Sequence, residues 1–465
     1  MSAALLTAGL TAAGPALASQ SCGSSGAVTT LDGSLPDGAT YRIQCPSGRW
    51  NGTLFLYSHG YVVPGSPNPA QDAGDPVTGG WLLSHGYALA GSSYARTGWA
   101  IQQALPDQIS TLDVFGQTYR TPSHTIAWGH SLGGIITAGL IQRYPDRFSA
   151  ALPMCGVLSG GVATWNTALD GAFGFQQLID PSVQVVNITS PSTNLTGAEA
   201  AASAAQQTPQ GRARLALAAA LSDTPGWFTP LSNEPSRSDV TSQEANQYLW
   251  DTQVDFPFIF AFRAELEARA GGNPSWNTGV NYFTQFAKSA DSGEVSALYR
   301  AAGLSLTHDL QTLNHAARIS AKPSAVGYLA QNIAFNGELS MPVLTMHTTG
   351  DGLVVPQNEQ AYQQVVDRAG DGRLLRQIFV HRAGHCSFTP AETITAAQTL
   401  LNRLRTGHWD DDALSPADLN AQAAALGPAY NIFSTGSPPT PTPTAPAFLR
   451  YRPTPYLRPF DLPAW

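Results

Sequence analysis

Ser131 lies in a motif whose glycines leave a nucleophilic hydroxyl exposed. The motif reads Gly129-His130-Ser131-Leu132-Gly133-Gly134, with an apolar run before it and an apolar, small-residue stretch after it. In a GxSxG elbow the chain turns sharply from a strand into a helix, and the glycines provide the space for that turn. We therefore predict that Ser131 is a nucleophile. The related stretch 91–95 also follows an apolar run, but no apolar helix continues it, so Ser93 is interpreted as a loop residue.

A serine hydroxyl needs a neighbouring imidazole to accept its proton, and we predict His385 for this role. In chains with such an elbow, an acid and then the base follow the nucleophile. The histidines downstream of Ser131 are His308, His315, His347, His381, His385 and His408. His385 lies in the sequence AGHCSF, on a loop just beyond an apolar run, from which its ring can reach over a serine. The stretch 389–392, TPAE, predicts a capped helix start that would fix the far end of this loop.

Asp351 is the predicted third member of the constellation. It lies in the sequence TTGDG, directly after the apolar run MPVLTMH. A carboxylate there would orient the imidazole of His385 and stabilise the imidazolium that forms during reaction. One helix, predicted over residues 358–368, and one strand fit between Asp351 and His385. Asp371 is the nearest competitor, but it lies in the turn after that helix, which is the wrong end of a parallel sheet.

Two backbone N–H groups are candidates for binding an oxyanion. A tetrahedral intermediate needs preorganised donors, and in chains with this elbow they come from the residue after the nucleophile and from a loop after an early strand. Leu132 supplies the first donor. The run that ends at Tyr57 leads into SHGY, so the N–H of Tyr61 is the second candidate and that of Gly60 the alternative. His59 is interpreted as a residue that orders this loop.

Short apolar runs alternate with amphipathic stretches from about residue 40 onward, which is typical of an α/β protein. The runs that we predict to be buried parallel strands are 54–57, 87–90, 125–128, 150–153, 343–346 and 377–380. Each of them leads into a loop with polar side chains. Because ligands bind outside the carboxyl ends of strands in open parallel sheets, the predicted nucleophile, acid and base should meet at that edge.

The rhythm of strands and helices divides the chain into segments. Residues 19–158 and 339–435 form the two parts of a predicted core, and residues 159–338, rich in alanine and in aromatic side chains such as those of 256–262, form a predicted, mostly helical cap. An independent second domain is the alternative, but an insertion is simpler because the strands resume at residue 341. The last predicted segments are a Pro/Thr-rich linker, 436–447, and an aromatic tail, 448–465, which either binds a surface or docks on the body.

The four cysteines fit two disulfides in an oxidising compartment. We predict that Cys22 pairs with Cys45, and that Cys155, after a core strand, pairs with Cys386, beside the predicted base. Buried free thiols are the alternative. A zinc site is disfavoured because the chain has no CxxC or HExxH spacing.

The first residues and the charge balance indicate where the protein acts and on what. Residues 1–18 are a short apolar stretch that ends in Ala-Leu-Ala, a pattern that a signal peptidase accepts, so we predict secretion; a buried first helix is the alternative. No later stretch is apolar for long enough to span a bilayer. The formal charge of −8, without a basic stripe, argues against nucleic acid as a partner. The oligomeric state is left open.

The motifs together resemble the α/β-hydrolase superfamily. The resemblance rests on His59-Gly60, GHSLGG, TTGDGLVVP and AGHCSFTPAE, and it covers about residues 40–160 and 339–405. It implies an α/β fold with a mostly parallel eight-stranded sheet, helices on both faces, acyl-enzyme chemistry, no metal and no cofactor. The stretch WNGTLFLYSHGY also resembles secreted lipase-like and peptidase-like members.

Three functions remain open at this stage. The first is a serine esterase that hydrolyses carboxylic esters of small molecules. The second is a peptidase of the prolyl aminopeptidase type, which would recognise the terminus of a short peptide through carboxylates such as those of Glu265, Glu267 and Asp255. The third is a non-catalytic polymer-binding protein that uses the aromatic tail. The predicted catalytic residues favour the first two.

Overall fold

The computed structural model describes residues 21–23, 25–435 and 440–460, so the predicted signal peptide, residues 1–18, lies outside the described residues.

Apolar runs form most of the strands, because β-branched and aromatic side chains pack well on a pleated surface that is covered on both faces. The strands are β1 Thr29–Ser34, β2 Thr40–Cys45, β3 Thr53–Ser58, β4 Ala88–Ser92, β5 His124–His130, β6 Ala150–Met154, β7 Val343–Gly350, β8 Leu375–Ala383, β9 Ile432–Thr435, β10 Thr440–Pro443 and β11 Phe448–Leu449.

Nine of these strands form the central sheet, in the order β1-β2-β4-β3-β5-β6-β7-β8-β11. The six strands from β4 to β8 along this order pair in parallel, whereas β1, β2 and β11 pair antiparallel. The mostly parallel α/β fold is thus confirmed, but the expected number of eight strands is wrong for the described residues. The ninth strand is β11, a two-residue segment of the predicted tail, and so short a strand leaves no hydrophobic period in the sequence.

Helices surround the sheet and fill the segment between β6 and β7. They are α1 Pro76–Ser84, α2 Ile101–Thr118, α3 Leu132–Arg143, α4 Gly161–Leu178, α5 Pro191–Ala205, α6 Pro209–Ala220, α7 Val240–Trp250, α8 Arg263–Ala270, α9 Tyr282–Lys288, α10 Ser292–Ala301, α11 Leu306–His315, α12 Pro323–Gln331, α13 Gln357–Ala369, α14 Pro390–Thr406 and α15 Pro416–Ala425. Two π-helical segments, Asp251–Asp255 and Pro257–Phe262, connect α7 to α8, and short 3₁₀ turns lie at Pro145–Arg147 and Gly372–Leu374.

The central strands bury side chains on both faces of the sheet. In β3, Leu54 and Leu56 pack in one cluster with α2, α3 and α13, whereas Phe55 and Tyr57 pack in another with α1 and α14. This alternation follows from the two-residue period of a strand. Two further apolar clusters lie within the helices between β6 and β7, so these helices have a core of their own. None of the described helices is both long and apolar enough to cross a membrane.

The start of α14 is fixed by a capping box and a buried ion pair. Thr389 and Glu392 exchange side-chain and backbone hydrogen bonds, as the sequence TPAE predicts. Arg382, at the end of β8, donates to both carboxylate oxygens of Glu392 at 2.7 and 3.0 Å and to the carbonyl of Ser387 at 2.7 Å. Its side chain is 3% exposed and that of Glu392 is fully buried. The loop between β8 and α14 is therefore held at both ends.

We predict that Arg382→Met lowers the free energy of unfolding by about 3 to 5 kcal/mol, because it leaves the carboxylate of Glu392 buried without its cation. Urea unfolding measures the loss. The matched control is Arg376→Met on the same strand, whose partner Asp411 has a side chain that is 67% exposed. A surface pair of this kind contributes about 1 kcal/mol or less. Equal losses in the two variants would contradict the structural role of Arg382.

Candidate active site

Ser131 lies between β5 and α3 in a backbone conformation that L-residues rarely adopt. Its φ is 59° and its ψ is −122°. Two backbone hydrogen bonds hold Ser131 in this conformation. Its N–H donates to the carbonyl of Met154 at 3.1 Å, and its carbonyl accepts from the N–H of Gly134 at 2.8 Å. The side chain is partly exposed at the carboxyl edge of the sheet. Local geometry of this kind is what the GxSxG motif predicts.

Close backbone packing explains the glycines on either side of Ser131. A Cβ atom on Gly129 would overlap the carbonyl oxygens of Ser58 and Gly133, and one on Gly133 would overlap the carbonyl of Ser58. Helix α3 can therefore start directly against the end of β3 only when these positions lack side chains. The same packing places Gly60 beside Ser131, since a Cβ atom on Gly60 would lie 3.4 Å from that of Ser131.

His385 and Asp351 form a hydrogen-bonded pair at the same edge of the sheet. The His385 Nδ1 atom lies 2.8 Å from Asp351 Oδ2. The Asp351 carboxylate is fully buried, whereas the imidazole is 19% exposed. The second carboxylate oxygen accepts the N–H of Val354 at 3.0 Å, so the carboxylate cannot rotate away from the ring. A carboxylate in this position fixes the tautomer of the imidazole, whose Nε2 atom lies 3.4 Å from Cys386 Sγ.

A second, buried pair supports the loop that carries Asp351. His347 places Nδ1 2.9 Å from Glu359 Oε1 and Nε2 2.7 Å from the carbonyl of Val354. Burial by itself lowers the pKa of His347, but the hydrogen bond and charge of Glu359, together with the charge of Asp351, outweigh it and raise the pKa. Both ring nitrogens face oxygen atoms, so the imidazole ties α13 to the loop that carries Asp351.

The disulfide between Cys155 and Cys386 joins the end of β6 to the His385 loop. Its Cα atoms lie 5.4 Å apart, and those of Cys22 and Cys45 lie 5.2 Å apart, so both predicted pairings are present. Cys155 and Cys386 both have positive φ, of 42° and 53°. With Ser131, three strained residues border one site, which is typical of functional sites.

The hydroxyl of Ser131 has no hydrogen bond to the ring of His385 among the described residues. The segments that carry the two residues lie close together: the ring centroids of His130, next to Ser131, and of Phe388, three residues after His385, are 6.2 Å apart. Burial, followed by the charge of His385, lowers the pKa of His130 to about 4. His130 is therefore neutral near pH 7. In unliganded enzymes the bond between nucleophile and base is often long and shortens only when substrate binds.

The two residues predicted to supply oxyanion donors, Tyr61 and Leu132, lie close to Ser131. Leu132 is the first residue of α3, and the N–H groups of the first helical turn have no partner within the helix. Leu132, Tyr61 and Ser131 line the same cavity. His59 stacks on Tyr94 at 4.0 Å and contacts the carbonyls of Gly60 and Ser93, so it orders the loop before Tyr61.

The alternatives that the sequence offered lie elsewhere or have other partners. Ser93 is buried, and its hydroxyl accepts the N–H of Thr40 and donates to the carbonyl of Tyr94. His381 has a side chain that is 44% exposed and faces Glu234. Asp371 accepts the N–H of Leu339 in the turn before β8, at the opposite edge of the sheet.

An aromatic cavity of about 820 Å³, including its mouth, opens onto Ser131. Its apolar lining comes mainly from Tyr61, Trp99, Trp165, Phe258 and Ile259. Thr164, Thr167, Ser222 and Thr224 add hydroxyl groups, and Asn358 adds an amide. No lysine or arginine is among the described residues that line it. A neutral, apolar acyl group fits such a surface.

Asp255 is the one carboxyl group among the lining residues. It lies on the first π-helical segment, is 7% exposed and has no hydrogen-bond partner among the described residues. Burial raises its pKa well above the usual range, and the charges of Asp251 and Asp351 add to that shift. The carboxyl group therefore stays neutral to a higher pH than an ordinary aspartate does. Single-turn π-helices often lie at functional sites, but no periodicity in the sequence distinguishes them from α-helix.

Sequence reasoning missed several residues of this site. The sequence suggests His347 only as an alternative base and does not single out Glu359 or Tyr456, although Tyr456 lines the cavity. The partial signal for Glu359 was its position in the first turn of a predicted helix that follows the acid loop. Tyr456 lies 325 positions from Ser131 in sequence, and nothing local to it indicates the contact.

We predict that the double variant Cys155→Ala/Cys386→Ala folds but loses at least tenfold in kcat, because the loop that holds His385 is no longer tied to β6. Its unfolding free energy should fall by about 2 to 4 kcal/mol. Steady-state kinetics and thermal unfolding measure the two effects. Cys22→Ala/Cys45→Ala is the matched control, since that disulfide lies at the opposite edge of the sheet; it should lose stability and keep its kcat. A similar fall in kcat for both variants, or for neither, would contradict a local role of Cys155–Cys386.

Comparison with known proteins identifies a relative over most of the chain. The o-phthalyl amidase of Xanthobacter agilis is 30% identical over 432 residues, which cover 86% of this chain and 92% of that protein. No protein-family profile matches the chain.

Solved structures show only distant likeness. An esterase from Aspergillus oryzae aligns with a TM-score of 0.42 at 11% identity, over 93% of this chain and 88% of that one. The rice cell wall degrading esterase LipA from Xanthomonas oryzae aligns with a TM-score of 0.35 at 14% identity, over 76% and 82% of the two chains. Scores this low carry no argument about activity. The sheet order, the strained elbow and the amidase relative together lead to one conclusion: the chain is an α/β-hydrolase and belongs to the family of the o-phthalyl amidase.

Proposed function

We propose that this protein is a secreted serine hydrolase that cleaves ester and amide bonds of small aromatic acyl compounds through a covalent acyl-enzyme. Ser131 is the nucleophile, His385 the base and Asp351 the group that orients the base. The observation that carries the proposal is the pair of His385 and Asp351, with 2.8 Å between Nδ1 and Oδ2, at the edge where the strained Ser131 opens into an aromatic cavity. No cofactor is needed for this chemistry.

The reaction follows from these positions. As the Oγ atom of Ser131 attacks the acyl carbonyl, its proton passes to Nε2 of His385, and Asp351 stabilises the imidazolium. The N–H groups of Tyr61 and Leu132 bind the oxyanion. The imidazolium then gives its proton to the departing alcohol or amine. Water, activated by the same imidazole, hydrolyses the acyl-enzyme and restores the serine.

The choice of substrate rests on the cavity and on the relative. Its aromatic lining and its lack of lysine or arginine among the described residues favour an uncharged aromatic acyl group. The relative is an amidase whose name specifies an o-phthalyl group, which supports amide as well as ester cleavage. Both bonds use the same acyl-enzyme, and the amine is the poorer leaving group. Esters should therefore react faster than the corresponding amides.

The peptidase alternative loses most of its support in the structure. Glu265 pairs with Arg269, and Glu267 pairs with Arg263 at 3.0 Å, so both carboxylates already have cations. Of the three carboxyl groups that the sequence suggested for binding a peptide terminus, only that of Asp255 lines the cavity. The two disulfides support secretion, because such bonds persist in oxidising compartments.

A parallel assay of p-nitrophenyl benzoate, benzoyl p-nitroanilide and an aminoacyl p-nitroanilide tests the proposed substrate class. We expect the fastest turnover with the benzoyl ester, slower turnover with the benzoyl anilide and none with the aminoacyl compound. Exclusive turnover of the aminoacyl compound would instead favour the peptidase.

We predict that Ser131→Ala, His385→Ala and Asp351→Asn each lower kcat on the benzoyl ester by about 10⁴ to 10⁶-fold without additive effects in combination, because a triad acts as a unit. Circular dichroism checks that the variants are folded. His381→Ala is the control histidine, and its kcat should stay within about threefold of the wild type. A silent His385→Ala together with a severe His381→Ala would overturn the choice of base.

Ionisation of the Asp255 carboxyl group should affect kcat/KM on the alkaline limb of the pH profile. Its raised pKa delays ionisation to a higher pH than in an ordinary aspartate, and ionisation then puts a negative charge in the cavity where an oxyanion would develop. We predict that kcat/KM of the wild type falls about tenfold or more as Asp255 ionises. In Asp255→Asn this limb should move to higher pH, because the amide cannot ionise. Rates between pH 6 and 10 measure the shift, and coincident limbs in the two proteins would contradict it.

A further inference from the structure

Residues 448–460, which we call the arm, run from the edge of the sheet to the cavity. At one end β11 pairs antiparallel with β8, with Phe448 opposite Val380 and Leu449 opposite Phe379. Phe448 is buried in the cluster that contains α14 and α15. The arm therefore continues the central sheet before it crosses toward the helices between β6 and β7. Its aromatic side chains are packed inward at this end and are not displayed for a polymer.

Tyr456 is a residue of the arm that lines the cavity. The side chain is 6% exposed and packs against Ala163, Val355 and Ala361. It lines the cavity together with Ser131. Its hydroxyl lies 3.5 Å from Thr164 Oγ1, the outer limit of a hydrogen bond, and Thr164 lines the same cavity.

Two polar contacts connect the arm to α13, next to Tyr456. The N–H of Tyr456 donates to Gln360 Oε1 at 3.3 Å, and Gln357 Nε2 donates to Thr454 Oγ1 at 3.1 Å. Helix α13 also carries Glu359, the residue that supports the acid loop. The arm thus lies against an element that is already fixed by the proposed catalytic site.

Arg458 anchors the arm to the helices between β6 and β7. Its guanidinium is almost fully buried, lies 3.4 Å from Asp170 Oδ2 and donates to the carbonyl of Trp276 at 2.6 Å. Asp170, on α4, also accepts bonds from Tyr282 and Gln285. Because a buried arginine without its carboxylate is costly, this pair defines where the arm must lie.

From these contacts we propose that the arm is a substrate-binding element that sets the size of the acyl group, with Tyr456 as the specificity-determining residue and the Arg458–Asp170 pair as its anchor. The proposal rests on the proposed acyl hydrolysis at Ser131. Part of the wall of the acyl cavity comes from Tyr456, which follows β11 in the arm and lies outside both the sheet strands and the helical insertion. Its removal from the wall enlarges the cavity and leaves the catalytic residues in place.

The kinetic consequence differs from that of a catalytic residue. A wall residue contacts the acyl group in the ground state and in the transition state alike, so its loss raises KM more than it lowers kcat. A larger cavity also accepts larger acyl groups. The arm therefore controls the ratio of kcat/KM values among acyl groups of different size.

The test compares p-nitrophenyl esters of acetic, benzoic and 2-naphthoic acid as substrates of wild type, Tyr456→Ala, Tyr456→Leu, Arg458→Met and Arg452→Met. We expect Tyr456→Ala to raise KM for the benzoyl ester about tenfold, to keep kcat within about threefold and to shift the preference toward the naphthoyl ester by about tenfold. Tyr456→Leu should shift preference in the same direction by less, and it remains informative if the alanine variant does not fold. Arg458→Met should follow Tyr456→Ala, whereas Arg452→Met, at an exposed position of the same arm, should match the wild type.

Each outcome bears on one of the two proposals. Turnover that survives Ser131→Ala, or no turnover of any ester by the wild type, refutes the proposed function. Ser131-dependent turnover with an unchanged acyl preference in folded Tyr456 and Arg458 variants refutes the role of the arm alone. An equal shift in Arg452→Met also refutes it, because the effect would then come from the arm's charge and not from the wall.

Discussion

The backbone strain at Ser131 is the constraint on which the site depends. A φ of 59° holds its hydroxyl at the junction of β5 and α3, and the structure tolerates this because α3 starts in direct contact with the end of β3. Gly129 and Gly133 permit that contact, since a side chain at either position would overlap the carbonyl of Ser58. A nucleophile held by sheet and helix backbone, as we propose for Ser131, needs little reorganisation when substrate arrives. The side chains of His385 and Asp351 must then be positioned relative to Ser131.

Loops supply those groups, and each loop is fixed by buried contacts. The loop that carries His385 is tied to the sheet by the Cys155–Cys386 disulfide and to α14 by the Arg382–Glu392 pair. The loop that carries Asp351 is tied to α13 through the hydrogen bond between His347 and Glu359. Loops positioned by a rigid scaffold are the usual carriers of function. The arm extends this principle to the substrate, because its buried Arg458–Asp170 pair places Tyr456 in the cavity wall.

The sequence predicted the parts whose signals are local. The elbow glycines, the strand runs, the capping box at Thr389 and the two disulfides each follow from neighbouring residues or from counting, and the structure contains them. It did not predict β11, which has two residues, or the π-helical run around Asp255, whose pattern does not differ from that of an α-helix. Nor did it predict Tyr456 in the cavity, because that contact joins segments distant in sequence and depends on tertiary packing alone.

Identification of the acylated residue tests the central claim most directly. The protein is mixed with p-nitrophenyl benzoate, quenched in acid within the first turnover, digested and analysed by mass spectrometry. We expect a burst of p-nitrophenol and a benzoyl group on the peptide that contains Ser131, with neither present in Ser131→Ala. A benzoyl group on another residue, or turnover without any covalent adduct, would contradict it.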